Sequence, residues 1–187
     1  MSAFEPDREA IMIVCLGWGS LIWDPRNLKV KDEWKNDGPN IAVEYLRQSQ
    51  DGRLTLIVNE GGEPLTVLWA EMDFQNCEEA KENLRTREGK IKKDFIGFWK
   101  SGDQNPSEIP DLGSWAESKG VDVVLWTALP PKFNGENNRK PTLEEAIKYL
   151  RELDNEKKAL AIEYICKSPI QIQTPFRPEL EKQFGRI

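Results

Sequence analysis

The chain contains no histidine, and this absence excludes more chemistry than any other feature of the composition. Ser-His-Asp and Cys-His catalysis are ruled out, as is any histidine-ligated metal, so a general base must be a carboxylate, lysine, tyrosine, cysteine or the amino terminus. Carboxylates become the first candidates. Cysteine is scarce too: Cys15, Cys77 and Cys166 are odd in number, far apart and without Cys-x-x-Cys spacing. Neither a disulfide framework nor a thiolate zinc site is suggested, a reducing compartment fits best, and the three thiols read as buried hydrophobes. Long apolar runs are missing, since nothing approaches the ~18 residues that a membrane span requires. The first ten residues carry Glu5, Asp7 and Glu9, the reverse of the basic start of a secretory leader. A cytoplasmic protein without a membrane partner is expected. Positive charge is also in deficit, with 26 Lys and Arg against 32 Asp and Glu for a net charge of −6. This argues against nucleic acid as the main partner, because that affinity comes from cations neutralising phosphates. The short cluster Lys90, Lys92 and Lys93 reads as a solvated face.

What is present describes a folded domain. The 187 residues fit a single domain spanning 1–187, and 39% hydrophobic residues with seven tryptophans are ample for a core. Ile11 to Leu16 reads as a buried strand ended by Gly17 and Gly19. Residues 41–48, 53–59 and 65–74 are rich in β-branched and aromatic residues and separated by Asp51-Gly52 and Gly61-Gly62, which predicts an antiparallel meander. Asn76 or Asp73 can cap a helix running through Arg85 or a little beyond, placing Glu88 near its end. Residues 121–129 predict a strand stopped by Pro130-Pro131. Thr142-x-x-Glu145 is a capping box that starts a helix, and a second helix follows over about 156–166. The stretch 96–119, interrupted by Gly102, Pro106, Pro110 and Gly113, reads as a lid or an irregular connection. Strands early and helices late predict an α+β fold.

Gly17-Trp18-Gly19-Ser20-Leu21-Ile22 invites comparison with the dinucleotide fingerprint, but Ile22 replaces the third glycine and Pro25 interrupts any following helix. Such a loop still presents unobstructed backbone N–H groups for a carboxylate or a developing oxyanion, or is simply a turn. Ser20 has no histidine to activate it and is a poor nucleophile candidate. Arg47 is a candidate for pairing with a substrate carboxylate, against a plain structural reading. The tryptophans Trp23, Trp34, Trp99, Trp115 and Trp126 read mostly as core.

The stretch from Leu16 to Pro25 resembles the signature loop of the gamma-glutamylcyclotransferase family, especially its glutathione-specific ChaC-type branch, where Tyr-Gly-Ser-Leu-Ile-Trp follows the first strand. Arg47, Asp51 to Leu56, Val67 to Glu71 and Leu84-Arg85-Thr86-Arg87-Glu88 resemble later segments of that branch in the same order, so the resemblance covers residues 11–89. Trp18 stands where the family usually has tyrosine, which removes a phenol but keeps an aromatic wall. Trp69 stands where a small residue is common and is expected to narrow the pocket. The resemblance implies a small mixed β-sheet or barrel with flanking helices, acting on a small-molecule gamma-glutamyl substrate without metal or cofactor; the helices from Thr142 onward either cap the sheet or form a homodimer surface. It implies intramolecular aminolysis giving 5-oxoproline, with Glu88 as general acid/base and Gly17, Trp18, Gly19, Ser20, Leu21 and Arg47 binding substrate. Partial burial should raise the Glu88 pKa, and Arg87, which would oppose that, is expected to point outward. The competing readings are a non-catalytic protein that captures a carboxylate-bearing small molecule in the same pocket, and an enzyme acting on some other amide.

Overall fold

The computed structural model describes residues 10–185; the acidic stretch on which the leader argument rests lies, apart from Ala10, outside the described residues. The first strand, β1 (Ile13–Gly17), is buried along its whole length. It pairs parallel with β7 (Val123–Thr127) and antiparallel with β5 (Leu68–Glu71), and β7 pairs antiparallel with β6 (Ile96–Lys100), giving a four-stranded sheet of order β5-β1-β7-β6. The second sheet is built on β2 (Asn40–Gln48), with β3 (Leu54–Val58), β8 (Lys132–Phe133) and β9 (Glu136–Asn137) in the order β3-β2-β8-β9, while β4 (Pro64–Thr66) pairs with the first residues of β2. The fold is therefore α+β, with two mixed sheets.

Alternation along the central strands explains the layering. Ile13, Cys15, Val123 and Leu125 face one side, where Ala80 and Leu84 of α1 (Cys77–Arg87) cover them. Val14, Leu16, Val124 and Trp126 face the other, into the main core shared with Val43, Tyr45, Leu54 and Leu56 of the second sheet. Helices α3 (Leu143–Glu152), α4 (Asn155–Lys167) and α5 (Arg177–Phe184) close that core with Ala146, Leu150, Ala161, Tyr164, Ile165 and Leu180. The C-terminal helices thus cap the main core.

Three expectations are corrected here. The sheets do not close into a barrel. The outer edge of β5, where closure would occur, is occupied by the irregular segment 29–38 through Lys31 N to Glu71 O (2.9 Å), Lys35 N to Trp69 O (2.8 Å) and Gly38 N to Val67 O (3.0 Å). The three segments from 41 to 74 are not a simple meander either: β3 and β4 both pair with β2, and β5 leaves to join β1. The Asp51-Gly52 turn between β2 and β3 forms as expected, with Gly52 at φ +89°. Residues 96–119 are no lid, because they supply β6 and α2 (Leu112–Lys119), and Trp99, Ile109, Leu112 and Ala116 are buried.

A buried carboxylate ties the C-terminal segment to β2. Glu44, 2% exposed, accepts hydrogen bonds from Tyr45 N (2.9 Å), Thr174 Oγ1 (2.7 Å) and Phe176 N (3.0 Å). Burial pushes its pKa above the ordinary carboxylate value, and those donors oppose the shift. The buried Arg177 completes the tie by donating to the carbonyls of Ser168, Pro169 and Ile172. Glu44→Ala should lower stability by roughly 1–3 kcal/mol for each buried donor left unpaired. Urea denaturation measures this, and an unchanged midpoint would show that the contact contributes nothing.

Candidate functional site

The end of β1 and the end of α1 converge. Gly17 closes the strand under Trp34, where a β-carbon would lie 2.5 Å from the indole Cζ3. The chain then turns through Ile22 N to Gly19 O (3.1 Å) and Asp24 N to Ser20 O (2.8 Å), so the turn's own hydrogen bonds do not use the amides of Gly19, Ser20 and Leu21. At the other element, the Asn76 carboxamide caps α1 by accepting from Glu78 N and Glu79 N. The helix ends in a Schellman arrangement, with Gly89 N to Thr86 O (3.0 Å), Lys90 N to Arg85 O (2.9 Å) and Gly89 at φ +84°. Glu88 is the C-cap residue of that motif. Its backbone N–H is held by the Leu84 and Thr86 carbonyls of the helix.

The edge strand β3 brings the second sheet to the same place. Leu56 would leave its outward backbone groups unpaired, as edge residues do. Trp18 Nε1 donates to Leu56 O (3.1 Å) and Leu56 N donates to Tyr164 Oη (3.1 Å). The tryptophan at position 18 therefore fastens the loop to β3 by an indole N–H. Tyr164 also lies directly over the loop, where a β-carbon on Gly19 would be 2.4 Å from its hydroxyl oxygen. Glycine is required there by close approach.

These elements enclose a cavity of about 410 Å³. Among its lining residues are Trp18, Gly19, Ser20, Leu21, Arg47 and Glu88, so the structure brings together six of the seven residues singled out from the sequence. Gly17 does not line it; it makes room for Trp34. Trp69 does not line it either, contrary to the expected narrowing, because its indole N–H donates to Asp37 Oδ1 (2.9 Å) and its ring packs edge-on against Trp115. Tyr164, Arg53 and Lys132 also line the cavity, and sequence reasoning missed them. Each comes from an element whose position relative to the loop is set by tertiary packing, and no local pattern marks them.

The expectation that Arg87 points outward is overturned. Its side chain is 4% exposed. Nη1 donates to Glu88 Oε1 (3.0 Å), and Nη2 donates to Ser20 Oγ (3.2 Å) and Asp24 O (2.5 Å). The helical periodicity explains this inward course: Arg87 follows Ala80 and Leu84 along the buried face of α1. One guanidinium thus joins the helix end, the loop serine and the loop backbone. Glu88, 16% exposed, is pushed above the ordinary carboxylate range by burial, with Arg87 the chief opposing influence. Its place at a helix C-terminus also disfavours the anion. Beneath the site, burial drives the Cys15 thiol far up, and the nearby Glu88 adds to that, so Cys15 is no nucleophile. Cys77 and Cys166 are only half buried, less enclosed than expected. Among the described residues, no group of three or more Cys, Asp or Glu is placed to hold a metal ion. Among the described residues, no helix is long and apolar enough to cross a membrane.

Comparison with protein-family models, with curated proteins and with solved structures gives no match.

Arg87→Met should uncouple loop and helix and expose the charge cost of Glu88. Without the opposing guanidinium, burial raises the folded-state pKa of Glu88 further above its unfolded value of ~4.3. A carboxyl with a raised folded pKa contributes stability below its unfolded pKa and loses it as pH rises through the folded value. The variant's deficit against wild type should therefore be larger at pH 8 than at pH 4, by about 1.4 kcal/mol for each pH unit that the titration of Glu88 moves. Urea unfolding at the two pH values tests this. Equal deficits would mean that Arg87 braces the loop without governing the carboxylate.

Proposed function

We propose that the chain is a metal-independent gamma-glutamylcyclotransferase, releasing 5-oxoproline and an amine or peptide from a gamma-glutamyl compound. The observation that carries this reading is that a largely buried carboxylate, Glu88, lines the same cavity as Gly19, Ser20 and Leu21, whose amides the turn's own hydrogen bonds leave unused. That arrangement suits an intramolecular acyl transfer better than an attack by a protein nucleophile. Ring closure already places the substrate's α-amine beside its own γ-carbonyl, and effective molarities for such reactions reach roughly 10⁵–10⁸ M. The site must move protons and hold charge.

In the proposed sequence, Glu88 as carboxylate takes a proton from the α-ammonium, and the freed amine attacks the γ-carbonyl carbon. The carbonyl oxygen becomes anionic and is met by loop amides. As the ring C–N bond is completed, the bond to the departing nitrogen breaks and Glu88 returns its proton there. A second proton passes from the ring nitrogen to the departing amine, so the net reaction moves two protons between nitrogens and consumes no co-reactant. A carboxyl with a raised pKa is suited to both roles, since it is a stronger base as an anion and remains a competent acid. Arg87 fixes which way the carboxylate faces, and Tyr164 and Trp18 hold the loop at a set depth. The loop's resemblance to the glutathione-specific branch makes glutathione the first compound to assay.

The test is 5-oxoproline release from a panel of gamma-glutamyl peptides and amines. Glu88→Gln should reduce kcat by about 10²–10⁴-fold. The pH profile of kcat/KM should fall on the acid side through the pKa of Glu88, placed by burial above the ordinary ~4.3. Turnover that survives Glu88→Gln would sink the mechanism. Binding without turnover in wild type would instead favour a protein that captures carboxylate-bearing molecules.

A further inference from the structure

Among the described residues, five cationic side chains line the cavity, Arg26, Arg47, Arg53, Arg87 and Lys132, against the single carboxylate of Glu88. Three of the five have anionic partners: Arg26 with Asp24 (3.2 Å), Arg53 with Asp51 (2.8 Å) and Arg87 with Glu88 (3.0 Å). The other two, Arg47 and Lys132, pair with no carboxylate among the described residues. Arg47 donates Nη1 only to the Pro130 carbonyl (2.6 Å).

These two cations are also neighbours by construction. Arg47 of β2 and Lys132 of β8 are register partners in a parallel pair, so their side chains leave the same face of the sheet. The flanking register positions are Thr55 on β3 and Asn137 on β9, and neither is acidic. Arg47 reaches this position through an irregularity in β2. Pairing passes from Tyr45–Leu56 directly to Arg47–Thr55, so Leu46 is an extra residue and Arg47 leaves the buried row of Val43 and Tyr45. Like charges directly opposite on adjacent strands repel and destabilise a sheet. Burial without an anion also depresses the Arg47 pKa. A bulge that aims one unpaired cation beside another at a cavity wall has a ready explanation if an anion binds between them.

We infer that Arg47 and Lys132 form an anion site that takes a carboxylate on the leaving amine. This rests on the cyclotransferase reading for the meaning of "leaving", while the anion site itself stands on the cation pair. The loop and Glu88 come from β1 and α1, whereas the cation pair comes from the second sheet. The cavity therefore offers separate walls for the reacting gamma-glutamyl group and for a second negative charge.

The experiment uses the full chain carrying Glu88→Gln, so that ligands are not consumed, and measures binding of γ-glutamylglycine and γ-glutamylglycinamide by calorimetry. These differ only in whether the leaving portion ends in a carboxylate or a neutral amide. The carboxylate should bind about tenfold or more tightly, as loss of charge-assisted hydrogen bonds predicts. Adding Lys132→Gln should abolish that preference, and Lys132→Arg should retain it, which separates charge recognition from a folding defect. Equal binding of the two ligands, a preference that survives Lys132→Gln, or binding of neither ligand would each overturn the inference. In parallel, wild type is assayed for 5-oxoproline from γ-glutamylglycine. No product with the binding preference intact would reject the cyclotransferase reading and leave the anion site standing; product without the preference would do the reverse.

Discussion

The Arg87 guanidinium is the contact on which the arrangement of the candidate site depends. It joins the C-cap of α1, through Glu88, to two points of the loop after β1, the Ser20 hydroxyl and the Asp24 carbonyl. A buried ion pair is weak evidence for net stability, because desolvation of both charges offsets their attraction. Its value here is geometric. A planar fork with fixed donor directions holds a carboxylate and a loop in one relative orientation, which a flexible lysine ammonium would not do.

The same contact creates a balance at Glu88. Burial and the helix C-terminus disfavour the anion, and Arg87 favours it. A carboxyl left without Arg87 would be held more strongly protonated, and one fully exposed would be an ordinary weak base near the usual carboxylate value. Around this pair, edge-strand accounting sets the depth of the cavity. Leu56 needs partners for its outward N–H and C=O, and finds them in Tyr164, which lies over the loop, and in Trp18 of the loop itself. Satisfying a strand edge and shaping a pocket are one set of hydrogen bonds.

Local signals in the chain were strong where hydrogen bonding is local. The Asn76 cap, the Thr142–Glu145 capping box and the Asp51-Gly52 turn all form where residue chemistry places them, because each is completed within a few residues. The loop was singled out by its spacing and by resemblance, and Glu88 by resemblance alone; Trp18 to Leu21 and Glu88 line one cavity. Arg87 was misread because an inward guanidinium opposes the raised pKa expected of Glu88, whereas helical periodicity placed it on the same buried face as Ala80 and Leu84. The barrel alternative failed for a non-local reason: segment 29–38, which has no strand pattern, took the edge of β5. Residues 96–119 were obscured by their prolines and glycines, which punctuate a strand and a helix at either end of the stretch.

By itself the sequence determined the chemistry that is out of reach and the elements that are made locally. Without histidine the proton carrier had to be sought among carboxylates and a few other groups, and caps and turns set where helices and hairpins begin. Only the tertiary structure decided which of 32 acidic residues shares a cavity with the loop, which arginine faces it, and that Arg47 stands beside Lys132 without an anion. Those facts depend on strand register, on a one-residue bulge and on helices far apart in the chain. Such relations arise from packing between distant segments, and spacing along a single chain does not encode them in readable form.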